Sequence, residues 1–470
     1  MNSKEFRKNG KNVIDWIADY YERIENFSVM SRAKVNDIRK NLPNNPPING
    51  EPFESIMQDL EDKILPGITH WQSPNFYGFF PANSSSPAIL GELLSSGFGI
   101  NGMIWASSPS CTELETHMMD WLVNMLDLPK HFHSSFGGGG VIQDSASSAT
   151  LCALLAAREK ATNGASNIKG VKKDLVIYCS TQSHSSIEKA VKIAGIGAEN
   201  LRHINVNHSF AMKVDDLEKN IKYDINQGKI PAFVFATSGT TSSTAFDPLI
   251  GIGELCIKYN IWLHVDAAMA GTAALCEEFR WINEGLENAD SYCFNPHKWM
   301  LTNFDCDAFF IKNPKTLTDS LSIQPEYLKT NLNGSDTVID YRDWQIPLGR
   351  RFRALKLWFV IRYYGIKGLK AHVRKGVKLS QIFQKLVQDD NRFELMAPSP
   401  LNLVCFRIKG SDEINELLLN HLNMAGDMFI THTRLNGKYT LRFCVGNPLT
   451  KRYHVESSWE KIVKAANKFI

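Results

Sequence analysis

From Asp174 to Val265 the chain alternates between short apolar runs and segments of helical spacing. The apolar runs are Asp174–Cys179, Leu201–Val206, Ala232–Ala236 and Ile261–Val265; between them lie Ser185–Ala194, Val214–Ile225 and Leu249–Lys258. No other feature limits the possible folds so strongly, because alternation of this kind implies parallel strands joined by crossover helices that cover both faces of the sheet. Two further apolar runs, Ala289–Phe294 and Asp307–Ile311, extend the series, and the helical segments Glu113–Leu126 and Ala149–Arg158 precede it. The expected fold class is α/β, with a mostly parallel central sheet flanked by helices.

The flanking regions read differently. Val13–Ile24 is apolar at helical spacing, Pro52–Ile64 resembles a second amphipathic helix, and the Pro/Asn-rich stretch Asn41–Pro52 connects them. Two helices split by such a linker bury their faces poorly on each other, so both are expected to dock on a larger body or on another subunit. Thr69–Pro87 is aromatic and turn-rich, suited to a packed surface loop or to the wall of an aromatic pocket. Leu355–Tyr364 is an apolar helix leading to β-like runs within Phe393–Ile408 and Lys438–Val445. A chain of 470 residues exceeds one small core. The expected division is an N-terminal helical segment over 1–81, a large domain over 82–355 and a small C-terminal α+β domain over 356–470.

Composition removes several function classes. A net charge of +3 offers no bulk attraction for nucleic acid or an anionic membrane. The nine cysteines are scattered, odd in number and without a Cys-x-x-Cys pair, which suits the reduced interior of a cytoplasmic protein. The polar start Met1–Gly10 does not read as a signal peptide, and no uncharged run reaches the ~18–20 residues of a transmembrane helix. No residues are assigned to a metal.

The chemistry gathers where apolar runs end. Ala289–Phe294 leads into Asn295-Pro296-His297-Lys298-Trp299-Met300, which puts an amine at the rim of a sheet, where ligands of open α/β sheets sit. A partly desolvated lysine has a lowered pKa and attacks carbonyls. Upstream, Trp262-Leu263-His264-Val265 ends in Asp266-Ala267-Ala268. A lysine for an imine and a buried aspartate for a ring nitrogen is the pair that pyridoxal phosphate needs. Gly137–Gly140 and Ser145-Ala146-Ser147 precede a helix, where free N–H groups and the helix dipole favour a phosphate; no Gly-Lys-Ser/Thr follows, so this is not a nucleotide P-loop. Ser183-His184-Ser185-Ser186 offers a histidine to stack on a flat ring, or a helix cap. Thr237-Ser238-Gly239-Thr240-Thr241 offers hydroxyls to ring substituents, or a turn.

With these motifs the chain resembles the pyridoxal-phosphate-dependent group II decarboxylases, in their aromatic L-amino-acid (dopa-type) branch. The resemblance runs over nearly the whole chain. It rests on Thr69-His70-Trp71, Trp105 with Ser108–Glu115, Met119–Leu122, Trp262–Ala268, Phe294–Trp299 and Leu348–Arg353. It implies the type I fold of pyridoxal-phosphate enzymes and a homodimer, with the N-terminal segment packed on the partner. Lys298 would hold pyridoxal 5'-phosphate as a covalent imine, and Asp266 would keep the pyridine nitrogen protonated. Ala146 and Ser147 would bind the phosphate, helped by Asn295 and His297. His184 would stack on one ring face and orient the substrate carboxylate, Ala268 would pack on the other face, and Thr241 would lie beside the ring. Tyr327, on the polar segment Gln324–Asp343, would return a proton to Cα while that segment closes as a lid. Trp71, Ala82, Asn101, Met103, His184 and Gly349 would meet the substrate. The implied reaction is decarboxylation of an aromatic L-amino acid (dopa, tyrosine, tryptophan or phenylalanine) to the amine and CO₂.

Some positions depart from the family pattern. Met269 stands where dopa-type members usually have tyrosine, Ala82 where they have threonine, and Ser148 where they have glutamate; Asn101 and Met103 replace an isoleucine and an aromatic that the partner subunit usually lends. Loss of polar groups at Ala82 and Met269 removes partners for ring hydroxyls, so phenylalanine or tryptophan is expected to suit this pocket as well as dopa or tyrosine. Gly349, where histidine-type members tend to have serine, speaks against histidine. The rival reaction is that of an aromatic aldehyde synthase, which consumes oxygen and typically alters the lid tyrosine or the stacking histidine; Tyr327 and His184 are both present. The 71–80 stretch has no arginine or lysine for the side-chain carboxylate of glutamate.

Overall fold

The structure, a computed structural model, describes residues 1–323, 326 and 338–469. The chain divides into two compact units, one formed by 82–378 and 397–403, the other by 1–81, 379–396 and 404–470. The second border falls inside the long helix Arg353–Asp389 and not at 355/356, and residues 1–81 group with the C-terminal part. A helix that continues through a border offers no turn residues by which to read it. The break inside this helix is at Gly365, whose φ of 61° suits a residue without a side chain.

In the first unit seven strands make one sheet: β1 (Gly139–Gln143), β2 (Leu175–Ser180), β3 (Leu201–Ile204), β4 (Ile230–Thr237), β5 (Trp262–Asp266), β6 (Ser291–Phe294) and β7 (Asp307–Ile311). Their spatial order is β1-β7-β6-β5-β4-β2-β3. Strands β3, β2, β4, β5 and β6 run parallel; β7 is antiparallel to both β6 and β1, so β1 points with the parallel set. The sheet is thus mostly parallel, as the alternating pattern requires. Its strands are almost wholly buried because helices cover both faces. On one face the helix Ala146–Thr162 packs Ala149, Cys152 and Ala153 over Val141, Cys293 and Phe309. This helix begins at Ala146 rather than at Ala149. The Ser145 hydroxyl accepts the Ser148 N–H at 3.3 Å, and the Ala149 N–H donates to the Ser145 carbonyl at 3.1 Å, so the serine run forms the cap and the first turn. The carboxyl ends of β1, β2, β4, β5 and β6 and the first residue of β7 share one edge of the sheet.

In the second unit β8 (Phe393–Leu395), β9 (Leu403–Ile408), β10 (Thr431–Leu435) and β11 (Lys438–Cys444) form a sheet in the order β10-β11-β9-β8. The aromatic 71–80 stretch packs within this unit: Tyr77 stacks on Phe443 at 3.8 Å, Phe76 lies 5.2 Å from Phe429, and Trp71 stacks on Phe76 at 4.5 Å. The N-terminal helix Ser3–Glu22 starts with a reciprocal cap between Asn2 and Glu5. The helix and its C-cap residue Arg23 meet the segment 53–64 through polar contacts, Lys8 to Glu54 at 2.8 Å and Arg23 to Glu61 at 2.7 Å, while Phe6, Ile14 and Ile56 stay exposed. Among the described residues no helix is long and apolar enough to cross a membrane.

Candidate active site

Lys298 sits just past the end of β6. Asn295 opens the one-turn helix Pro296–Trp299, with proline at its first position. The Asn295 N–H donates to the Ala268 carbonyl and the Lys298 N–H to the Asn295 carbonyl, both at 2.9 Å. From the other side the Asn83 N–H donates to the Lys298 carbonyl at 3.2 Å, and Asn83 Oδ1 accepts the Leu301 N–H at 3.4 Å. His372 Nε2 lies 3.1 Å from the same Oδ1, and burial pushes its pKa down to about 3, so this imidazole is neutral. Asn83 and His372 therefore clamp the lysine turn, while the Lys298 side chain is half-buried. Nothing in the sequence marks either residue, since both are remote from the motif they support.

Asp266 ends β5 and is 4 % exposed. Its Oδ1 accepts the Ala268 N–H at 2.9 Å, which fixes the carboxylate at the strand end. Ala268 follows half-buried, and Met269 behind it is fully buried. In the β4–β5 register Thr237 pairs with Asp266, so the turn carrying Thr241 begins beside it. Thr240 braces this turn by accepting the Ala245 N–H at 3.0 Å on its hydroxyl. Thr241 is half-buried there.

Two histidines have their tautomers set by the backbone. His184, after β2, accepts the Ser186 N–H on Nδ1 at 3.2 Å; His297 accepts the Cys306 N–H on Nδ1 at 2.9 Å. Each neutral ring must then carry its proton on Nε2, as a donor. Burial pushes the pKa of His297 down to about 3, and Lys298 adds to the effect. The packing around His184 lowers its pKa, Asp266 opposes this and Lys298 reinforces it. His184 nevertheless keeps an exposed face, as a ring that stacks on a flat partner must.

The start of the helix Ala146–Thr162 completes the edge. With Ser145 capping Ser148 and Ala149, the amides of Ala146 and Ser147 have no acceptor among the described residues. Asn295 is 2 % exposed, and its Oδ1 likewise has no partner among them. Two free amides at the positive end of a 17-residue helix, one imidazole N–H and the side-chain N–H groups of Asn295 form a donor set suited to a phosphate. A buried carboxylate and a half-buried amine stand beside it. The set fits a flat aldehyde that bears one phosphate and one basic ring nitrogen, which is pyridoxal 5'-phosphate.

The residues expected to meet substrate gather differently. Asn101 Oδ1 accepts the Arg350 N–H at 2.9 Å, its Nδ2 lies 3.9 Å from Met103 Sδ, and Gly349 faces it; these three make a cluster of their own. Arg350 is thus the partner of Asn101, a pairing with no signal in the sequence. Ala82, half-buried, directly precedes the clamp residue Asn83. Trp71 belongs to the other unit. Tyr327 lies outside the described residues, as do Gln324, Pro325 and 328–337 of the segment read as a lid.

Residues 36–409 match the model of the pyridoxal-dependent decarboxylase conserved domain. The chain is 47 % identical to tyrosine decarboxylase 4 of Petroselinum crispum, over 98 % of this chain and 93 % of that one. It is 44 % identical to phenylacetaldehyde synthase of Arabidopsis thaliana, over 99 % of this chain and 97 % of that one. Its structure is similar to that of Catharanthus roseus tryptophan decarboxylase in complex with L-tryptophan, with a TM-score of 0.95, 42 % identity and coverage of 100 % and 99 % of the two chains. By strand-end chemistry, fold and likeness together, the chain belongs to the pyridoxal-dependent decarboxylases, the carboxy-lyases that use pyridoxal phosphate.

Proposed function

We propose that the protein decarboxylates an aromatic L-amino acid, releasing CO₂ and the aromatic amine. The observation that carries this reading is the meeting of Asp266, Lys298, His184 and the start of the helix Ala146–Thr162 at one sheet edge, in a chain whose relatives bear the names of aromatic amino-acid decarboxylases. Pyridoxal phosphate, when bound, supplies an electron sink for the pair left behind by CO₂. Every other part belongs to the chain. Lys298 would supply the amine that holds the cofactor. Asp266 would keep a proton on the ring nitrogen by charge pairing. The Ala146 and Ser147 amides, Asn295 and His297 Nε2–H would take the phosphate. His184 would stack on the ring and turn its Nε2–H to the substrate carboxylate, and Ala268 and Thr241 would help to hold the ring. The Tyr327 phenol gives Cα its proton. Ala82 and a cluster of Asn101, Met103 and Gly349 would shape the substrate side.

We also take the working form to be a cytoplasmic homodimer, in which Phe6, Ile14 and Ile56 of the N-terminal segment are covered by the partner and the Asn101 cluster serves the partner's site. The support is the apolar surface these residues leave open and the separateness of that cluster. Sedimentation of an active monomer at assay concentration would overturn this form.

A second reading, the oxygen-consuming aldehyde synthase, is favoured by the 44 % identity to phenylacetaldehyde synthase. Product analysis on a panel of aromatic amino acids, with and without oxygen, separates the two. Decarboxylation yields one amine per CO₂ and no oxygen uptake. Aldehyde, ammonia and peroxide from the unaltered protein would establish the rival. A positioned acid is worth roughly 10²–10⁴ in rate, so Tyr327→Phe is expected to lose most amine formation and gain oxygen-dependent aldehyde. Unchanged amine output would pass the proton-donor role to His184.

A further inference from the structure

Asn295 has one end that donates and one that accepts, and a phosphate can use only the donating end. The Oδ1 end must then turn back into the protein, where it is buried and has no donor among the described residues. The β6–β7 register pairs Phe294 with Ala308 and Cys293 with Phe309. One step further sets Asn295 opposite Asp307, and alternation places both on the sheet face that also carries Asp266, the register partner of Cys293. Asp307 opens a strand otherwise made of Ala308, Phe309, Phe310 and Ile311. It is 0 % exposed, and both of its carboxyl oxygens lack a partner among the described residues. A carboxylate facing an amide oxygen would leave acceptors with nothing to accept. A carboxylic acid has the one O–H that this arrangement lacks.

We propose that Asp307 is a positioning residue, held as the neutral acid, whose O–H donates to Asn295 Oδ1 and so turns Asn295 Nδ2 toward the cofactor phosphate. The proposal rests on the reading of Asn295 as a phosphate ligand. The surroundings keep the proton on Asp307: burial first, then Asp266 at the end of β5 and Asp144 after β1, all raise its pKa well above the carboxylate range, against Lys298 alone. The other titratable groups around it, Cys152 on the covering helix, Tyr292 and Cys293 on β6 and adjacent Cys306, are themselves held neutral by burial. Lys298 is the one cation among these groups.

The test compares ligand-free protein titrated with pyridoxal phosphate and with pyridoxal, which has no phosphate, from about pH 6 to about pH 9. Asp307→Ala should weaken pyridoxal phosphate about tenfold, the scale of one lost hydrogen bond, and leave pyridoxal unchanged. Asp307→Asn, which supplies an N–H at the same place without titrating, should restore the affinity. Unfolding of the ligand-free protein gives a second readout. A folded-state pKa above the unfolded one makes stability fall as pH rises above about 4, so the advantage of Asp307→Asn over the parent should grow with pH. Equal weakening of both ligands, an asparagine variant as weak as the alanine one, or an advantage that does not change with pH would each overturn the proposal. Where Asp307→Ala does not fold, the asparagine arms still decide. Asn295→Ala separates the two layers: if it leaves the preference for pyridoxal phosphate over pyridoxal intact, the phosphate role of Asn295 is what failed.

Discussion

The strand-end group around Asp266 and Lys298 and the cluster around Asn101, Met103 and Gly349 are built from opposite materials. In the first, Asp266, Asn295 and His297 are buried at the ends of strands covered on both faces, and Lys298 is held on both sides by backbone bonds. In the second, Asn101 and Gly349 are exposed on connecting segments, and the Asn101 side chain makes one hydrogen bond and one sulfur contact. A sheet edge can hold a charge pair in place against solvent; a loop can change its side chains without disturbing a core. On the function proposed, the cofactor chemistry would reside where variation is costly, and the choice of amino acid where it is cheap.

The largest expected effect tests the first region at its centre. Lys298→Ala should abolish both turnover and the visible absorption of lysine-bound cofactor while the protein still folds. Borohydride reduction and peptide mapping locate the attachment, and a different lysine would undo the contrast at its root. Asp266→Asn comes next, because it keeps the shape and removes the charge. Loss of a preorganised electrostatic partner of this kind typically costs on the order of 10²–10³ in kcat, and a near-normal kcat would show that the carboxylate is only structural.

Acid should act on the strand-end unit through its buried imidazoles. His264, His297 and His372 are each pushed down to about 3 by burial. Their folded pKa lies below the unfolded value of about 6.5, so their contribution is complete above that pH and is lost as pH falls toward about 3. Each unit below about 6.5 should cost about 1.4 kcal/mol per imidazole. Urea midpoints between about pH 7 and about pH 5 measure the slope, and His372→Asn should make it shallower. An unchanged slope would mean that this ring is not buried neutral.

The smallest effect belongs to the second region. Asn101→Ala should change the preference among aromatic amino acids about tenfold in kcat/KM, as pocket substitutions do, and leave cofactor affinity unchanged. Mixed dimers take the contrast a step further. When Asn101→Ala chains pair with Lys298→Ala chains, the only intact lysine lies in a chain whose partner still supplies Asn101. Selectivity should then return to that of the parent, and failure to return would place Asn101 at its own chain's site.

Much of the strand-end group is legible in the amino-acid order alone. Lys298, Asp266, His184 and Thr241 each follow an apolar run, and a buried strand in a parallel sheet delivers its next residues to the edge where ligands sit. The start of the helix Ala146–Thr162 is harder to place, because Ser145, Ser147 and Ser148 serve a turn as readily as a cap. Asp307 reads by pattern only as the start of a strand; a lone carboxylate opening the apolar run Asp307–Ile311 is the signal for more. The grouping of 1–81 with the C-terminal part, and the pairing of Asn101 with Arg350, leave no local trace, since each joins segments remote in sequence.

Hydrophobic periodicity and strand-end position are local properties of the chain, and they suffice to set the sheet, its direction and the residues carried to its edge. Which remote groups complete each of those residues is settled by folding. Asn83 and His372 clamp the Lys298 turn, backbone N–H groups choose the tautomers of His184 and His297, and a buried acid faces Asn295 across two strands. Those are matters of hydrogen-bond satisfaction inside a core, where a polar group must find its partner from whatever part of the chain has folded beside it.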